Sequence, residues 1–181
     1  MRALTFAIAL ALAAPAVAAE PAKPAPKPAA KPATKPAAKP AAFDARDPAA
    51  LIGLLGTMDA KGVVAAAGQG VVVLDIVTPG GKFGAQYVDC DANGKVCGML
   101  AFSTAFERRG PTLQQINVFN RTQVACRGYL TEDGRSNVMY GLLLGQRMTS
   151  AEMKQHLGVW QGCLATFGRF NRDAEGYLAG N

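Results

Sequence analysis

The sequence contains few of the residues on which catalytic and metal sites usually depend. Its 181 residues include one histidine, one tryptophan and four cysteines. It has no Gly-x-Ser-x-Gly elbow, no P-loop and no dinucleotide-binding fingerprint. The single histidine, His156, falls in a predicted helix and is expected at its surface or edge. These absences predict a protein that is not an enzyme and has no catalytic, cofactor-binding or metal-binding residues.

A surplus of charge is also missing from most of the chain. The net charge is +6, but residues 43–181 contain 13 Lys and Arg against 12 Asp and Glu, a net charge of +1. The basic excess therefore lies in the N-terminal segment. Because binding to nucleic acid depends on a basic surface of the folded part, no nucleic-acid partner is predicted.

Residues 1–19 are predicted to be a cleaved signal peptide. Arg2 precedes an uncharged apolar stretch from Leu4 to Leu12, and small residues follow Pro15. This order is typical of secretory signal peptides, and the apolar run is short for a helix that spans a membrane. An uncleaved membrane anchor is the alternative. The expected location of the protein is periplasmic or secreted.

Residues 20–42 consist almost entirely of proline, lysine and alanine. The segment has seven prolines and five lysines, and the lysines recur every four residues from Lys23 to Lys39. Such a composition cannot bury a core and favours an extended polyproline II tether. Its charge suits contact with an anionic envelope polymer or lipid, and the alternative is a solvated tether without a ligand.

Residues 43–181 are enough for one domain with a single core, and three helices are predicted in it. Asp47 before a proline is an N-cap for a first helix over 48–58. The sequences Thr112-x-x-Gln115 and Thr149-x-x-Glu152 are capping boxes for two more. Apolar residues at helical spacing predict the buried faces of these two helices, namely Leu113, Ile116 and Phe119 on one, and Met153, Leu157, Trp160, Leu164 and Phe167 on the other.

Runs of β-branched and apolar residues, separated by turn residues, predict strands. Three or four are expected between the first two helices, over 63–67, 71–77, 83–88 and 98–106. Two more, over 124–131 and 137–144, are joined by the hairpin turn Glu132-Asp133-Gly134. The absence of βαβ alternation predicts an α+β fold, α-β-β-β-α-β-β-α with three strands in the first group. Its sheet is largely antiparallel, with the helices packed on it.

Four segments resemble the YbjN-type domain family, which is described as a bacterial sensory transduction regulator. They read CGMLAFSTAF, LQQINVFNRT, RGYLTEDG and MTSAEMKQHLGVW, and the resemblance spans about residues 47–170. The resemblance implies a fold like that of type III secretion chaperones and a surface for contacts with proteins. It implies no catalytic residue.

The segment DCDANGKVC at 89–97 permits three interpretations. It begins like a calcium loop, but Leu100 stands where such a loop needs a glutamate. Cys90 and Cys97 flank the turn dipeptide Asn-Gly, which favours a hairpin closed by a disulfide in an exported protein. Two free thiols are the third interpretation. The disulfide is the favoured prediction.

Cys126, on a predicted strand, and Cys163, on the last helix, are a second candidate pair. A disulfide can form between them if that helix packs on that strand, and the alternative is two buried thiols. Zinc binding by the four cysteines is not predicted, because their spacings contain no paired knuckle.

The leading hypothesis is an exported, non-enzymatic interaction or regulatory domain that binds another protein or a second copy of itself. Asn117 and Asn120 are expected to tie their helix to neighbouring backbone. Trp160 is expected in the core. The strand with Tyr140 and Leu142 is apolar on both faces, which predicts a central position or an interface. The alternative function is a periplasmic carrier of a small ligand or metal.

Overall fold

The computed structural model describes residues 42–106 and 110–180. The predicted signal peptide, residues 1–19, lies outside the described residues, as does all of the predicted tether except residue 42. Cleavage of the signal peptide and the extended form of the tether therefore stay predictions.

A six-stranded antiparallel sheet forms the centre of the fold, with the strand order β1-β2-β3-β4-β6-β5. Its strands are β1 (Lys61–Gly68), β2 (Val71–Thr78), β3 (Gly81–Cys90), β4 (Cys97–Ala105), β5 (Arg127–Leu130) and β6 (Ser136–Leu143). Four strands precede the second helix. The predicted order α-β-β-β-α-β-β-α therefore has one strand too few in its first group. The predicted α+β class with an antiparallel sheet is confirmed.

The helices begin where the sequence places their caps. They are α1 (Pro48–Gly56), α2 (Leu113–Thr122), α3 (Ser150–Arg172) and α4 (Ala174–Ala179). The Asp47 side chain accepts the N–H of Ala49, and both predicted capping boxes are formed. The short helix α4 was not predicted, because its six residues are too few to show a helical period.

The first three helices pack on one side of the sheet, which we call the covered face. Two rows of paired residues line it across four strands, Val72–Tyr87–Leu100–Leu142 and Leu74–Ala85–Phe102–Tyr140. Trp160 of α3 lies at its centre, with its ring centroid 5.6 Å from that of Phe83 and 6.0 Å from that of Phe102. The predicted apolar stripe of α3 therefore faces the sheet.

Two details of the predicted elements are wrong. Ile116 and Phe119 of α2 are buried, but Leu113 is 61% exposed. Leu113 is the first residue of the helix, one turn before Ile116, and its side chain is left in solvent. The strand expected over 124–131 begins only at Arg127, because the chain turns between α2 and β5 and leaves Val124 95% exposed.

The apolar pattern of β6 has two explanations, a central position in the sheet and a position at an interface, and the pairing of the strand bears on both. β6 pairs with β4 over residues 137–143, but with β5 only over 136–139, so its first half is internal and its second half pairs on the β4 side alone. Leu142 is buried on the covered face, whereas Leu143 is 74% exposed on the opposite face. The helices on the covered face explain the burial of Leu142, whereas neither they nor a central position accounts for the exposed Leu143.

Candidate functional site

The face of the sheet opposite the helices, which we call the open face, is apolar, and no described helix packs on it. One row across this face consists of small or aliphatic residues apart from Gln86, and the next row is aliphatic throughout. The rows are Val73–Gln86–Ala101–Gly141 and Val88–Met99–Leu143. Met99 is 44% exposed. Leu143 in the same row is exposed as well, whereas Val88 is half-buried.

Charged residues border the apolar part of the open face at one end. The neighbouring row contains Asp75 of β2 and, at its far end, Arg127 of β5. One row further, Lys61 and Lys82 flank Val77. The open face therefore has an apolar part next to a polar rim, which is the usual anatomy of a protein interface.

The hairpin between β3 and β4 is closed by the first cysteine pair. The Sγ atoms of Cys90 and Cys97 lie 2.05 Å apart, at disulfide distance, and the two residues are directly opposite each other in the ladder. Oδ1 of Asp91 accepts backbone N–H groups of Asn93, Lys95 and Val96. These bonds, led by that from Lys95, hold the pKa of the Asp91 carboxyl below its usual range. The carboxylate thus organises a turn between two strands.

The second cysteine pair joins the last long helix to the start of β5. The Sγ atoms of Cys126 and Cys163 lie 2.02 Å apart, at disulfide distance, and both residues are buried. The predicted condition for this bridge, that α3 packs on the sheet next to that strand, is met. The structure therefore favours the bridge over two separate buried thiols.

The two asparagines of α2 differ in what they contact. The Asn120 side chain accepts the N–H of Gly128 at 2.7 Å and donates to its carbonyl oxygen at 2.9 Å. It ties α2 to β5, as predicted. Asn117 is exposed and makes no side-chain hydrogen bond to any described residue, because it lies on the outer side of the helix. The predicted tie is wrong for Asn117.

Tyr140 and His156 form a polar pair at the edge of the covered face. The Tyr140 Oη and His156 Nδ1 atoms lie 2.6 Å apart, and burial raises the pKa of the Tyr140 hydroxyl. Nearby, Glu152 accepts the backbone N–H and the hydroxyl of Thr149, and these bonds lower the pKa of its carboxyl. His156 is half-buried at the edge of its helix, as predicted. A shallow depression of about 830 Å³ lies beside this pair.

The described residues contain no group of three or more His, Cys, Asp or Glu side chains placed to hold a metal ion. Within 42–106 and 110–180, no helix has both the length and the apolar composition needed to cross a membrane. Five residues were predicted to have a structural or interaction role, namely Asn117, Asn120, Tyr140, Leu142 and Trp160. Two members of this set, Trp160 and Leu142, are buried in the core. Of that set only Asn117 is freely accessible, and Tyr140 is half-buried.

A family model, YbjN, with the description "Putative bacterial sensory transduction regulator", matches residues 66–170. The match includes more than half of the 181 residues. The chain belongs to the YbjN family. The recognised resemblance is thus confirmed, although its span is shorter than the expected 47–170 and leaves out α1 and most of β1.

A search among curated proteins and a search among solved structures each found no match. The sequence predicted an interface on β6 as one of two alternatives, but not the extent of the open face across the neighbouring strands. A signal for it was present, since β2 and β6 are apolar on both faces. For β6 that pattern predicted a central position or an interface, and the structure adds that the described helices cover only one of the two faces.

Proposed function

We propose that this YbjN domain is a non-enzymatic regulatory module that works by binding another protein molecule through its open face. A second copy of the chain is the first partner to test. The observation that carries the proposal is the row Val88–Met99–Leu143, which crosses three strands and is apolar throughout. Leu143 leaves 74% of its surface in water. Burying it against a partner would contribute about 25 cal/mol for each Å² of apolar surface.

The shape of the open face supports a protein partner. Gly84, Ala101 and Gly141 have little or no side chain, so the surface is low and flat there. A flat apolar face packs well against another sheet or a helix, whereas small ligands need concave sites. The charged rim with Asp75 and Lys82 would fix the orientation of the partner more than it would add affinity.

Export of the protein to the periplasm or beyond is part of the proposal. Both cysteine pairs lie at disulfide distance, and disulfides persist in oxidising compartments. The N-terminal sequence supports export through a cleaved signal peptide, with the basic tether linking the domain to anionic envelope material. The measurement is the intact mass of protein from the envelope fraction. A mass that begins at residue 19 or 20 supports this, and one that retains Met1 contradicts it.

The test of the open face compares two exposed aliphatic residues on opposite sides of the molecule. Leu143 lies on the open face, and Val159, 41% exposed, lies on the outer side of α3. We expect light scattering over a concentration series to show self-association that Leu143→Lys abolishes and Val159→Lys preserves. If the protein is monomeric, the same two variants are compared in capture of partners from envelope extract. Equal capture by both variants would overturn the proposed surface.

A further inference from the structure

Two opposite charges on the open face lie at equal distances from its strand β4. One row of paired residues crosses all six strands on this face, Val63–Asp75–Gly84–Ser103–Met139–Arg127. Asp75 lies on β2 and Arg127 on β5, and each of these strands is two positions from β4. At the usual strand spacing, that is about 9.6 Å on either side. Both residues are exposed, and neither forms an ion pair with a described residue.

The side chain of Arg127 begins on the open side of β5 and keeps donors for a partner. The neighbouring Gly128 faces Phe167 on the covered side, so Arg127 faces the other way. Its Nη1 donates to the carbonyl oxygens of Gln123 and Cys126 at 2.7 and 2.9 Å. A guanidinium has five N–H donors, so those of Nε and Nη2 can bind a carboxylate.

The apolar row of the open face is also centred on β4. Met99 lies on β4 itself, with Val88 on β3 to one side and Leu143 on β6 to the other. A rotation by 180° about an axis along β4 would therefore place the row on itself. In that rotation Val88 of one copy meets Leu143 of the other, and the two Met99 side chains meet each other.

The side-chain sizes on the two sides of β4 are complementary as well. Met139 of β6 shares a row with Gly84 of β3, and Gln86 of β3 shares the next row with Gly141 of β6. Each of the two long side chains thus has a glycine at the mirrored position of its own row. A Cβ at Gly141 would have no atom of the described residues within 4 Å, so the space above it is open.

We propose, in an inference that rests on the proposed function, that the partner is a second copy of the chain, stacked open face on open face about a two-fold axis along β4. This axis exchanges β2 with β5 and β3 with β6, and each row stays on itself. Asp75 then faces Arg127 of the second copy, and the symmetry forms this pair twice. The strands of the two copies run in nearly the same direction, which is the aligned packing of stacked sheets.

The other charges of the open face agree with this arrangement. Lys61 lies on β1, three positions from β4, so it extends past the edge strand β5 of the second copy. Lys82 lies on β3 in the row next to Asp75, and the residue of β6 that it faces is the uncharged Asn137. Like charges therefore do not meet across the interface, and the opposite charges do.

Two other arrangements fit the open face less well. A two-fold axis across the strands stacks β2 on β2, so Asp75 meets either Asp75 of the second copy or an apolar row. Both of these contacts are unfavourable for a carboxylate. A foreign protein would not require the face to be symmetric about β4, whereas a second copy does. The symmetry thus favours the second copy as the partner.

Reversal of the two charges tests the proposed pair. Arg127→Asp and Asp75→Arg should each weaken self-association at least about tenfold, or about 1.4 kcal/mol, because like charges then face each other at both ends of the row. The variant with both changes exchanges the charges and should restore association. Lys154→Asp, at an exposed position of α3, is the matched control and should have no effect. Light scattering over a concentration series measures association, and melting temperatures show that each variant folds.

Chemical cross-linking tests the position of the axis. Ser103→Cys lies on β4, so its two copies should be separated by the distance between stacked sheets, about 10 Å. Val73→Cys lies on β2, and its two copies should be at least about 19 Å apart. Both positions are half-buried, and the four native cysteines are paired. A bis-maleimide with a span of about 10 Å should link the first variant into dimers and leave the second unlinked.

The outcomes separate this arrangement from the proposed function. If Leu143→Lys weakens self-association and neither charge reversal does, the arrangement is overturned and the open face remains the contact surface. Equal cross-linking of Ser103→Cys and Val73→Cys would overturn the axis along β4. A strictly monomeric protein would overturn the second copy as the partner, and capture of a foreign protein that is lost in Leu143→Lys would then support the open face alone.

Discussion

The two faces of the sheet are built from the same strands, yet they differ in the size of their side chains. The covered face has rings at its centre, with Tyr87 and Phe102 fully buried. The open face has Gly141 and Ala101 at the corresponding positions of its central row. Large residues fill the space under the helices, whereas small residues leave a low surface. The comparison indicates that one face provides stability and the other is available for contacts.

The largest effect is expected at the centre of the covered face. Trp160→Ala should lower the free energy of unfolding by about 3–5 kcal/mol, because it removes a fully buried ring and leaves a cavity. Chemical denaturation followed by circular dichroism measures it, since the variant has no tryptophan emission. A loss below about 1 kcal/mol would break the assignment of stability to this face.

The burial of Trp160 could be predicted from the sequence, but its unpartnered N–H could not. The spacing from Met153 to Phe167 defines an apolar stripe on one helix, and a stripe predicts which side of that helix is buried. It does not predict which atoms of other elements lie opposite. The partners of Trp160 are Phe83 and Phe102, which are 77 and 58 residues away in sequence. The surroundings of the indole N–H depend on such distant contacts and were therefore not foreseen.

Local signals predicted most boundaries, and they failed where a boundary depends on long-range packing. The capping boxes at Thr112 and Thr149 are local, and both helices begin there. Leu113 follows the same helical period as Ile116, but it stands at the first position of α2 and is exposed. The same reason explains the difference between the two asparagines of α2. Asn120 faces β5 and bonds to Gly128, whereas Asn117 does not face β5 and is exposed. Sequence periodicity does not reveal where the partner surface ends.

The two cysteine pairs should differ in their effect, because one joins distant elements and the other closes a hairpin. The Cys126–Cys163 pair spans 37 residues and ties α3 to the sheet, whereas the Cys90–Cys97 pair spans 7. Chain entropy predicts stabilisation of about 4 kcal/mol for the first and about 2.5 kcal/mol for the second. The measurement is the denaturation midpoint of each Cys→Ser double variant.

Peptide mapping without reduction provides the control for the cysteine comparison, since both pairs must be recovered as linked peptides. Recovery of all four cysteines as alkylated thiols would contradict the two bonds. An equal loss of stability in the two double variants would contradict the larger role of the bond to α3. It would also weaken the view that the covered face holds most of the stability.

The smallest and most direct comparison uses one glycine from each face. A Cβ at Gly128 would lie 2.6 Å from Cε2 of Phe167 and 3.2 Å from Cδ1 of Ile116, whereas a Cβ at Gly141 would have no atom of the described residues within 4 Å. Gly128→Ala should therefore cost about 1–3 kcal/mol through overpacking of a buried ring. Gly141→Ala should change stability by less than about 1 kcal/mol, in the stabilising direction, because alanine restricts the unfolded chain.

These two variants separate packing from contact with a partner. The added methyl of Gly141→Ala meets no atom of the described residues. A loss of self-association or partner capture in that variant is therefore attributed to the open face. Gly128→Ala serves as the reverse control, with lower stability but an unchanged open face, so its binding below the melting temperature should match that of the original protein. Reduced binding in Gly128→Ala together with full binding in Gly141→Ala would reverse the roles of the two faces, and the proposed contact surface would then have to be moved to the helices.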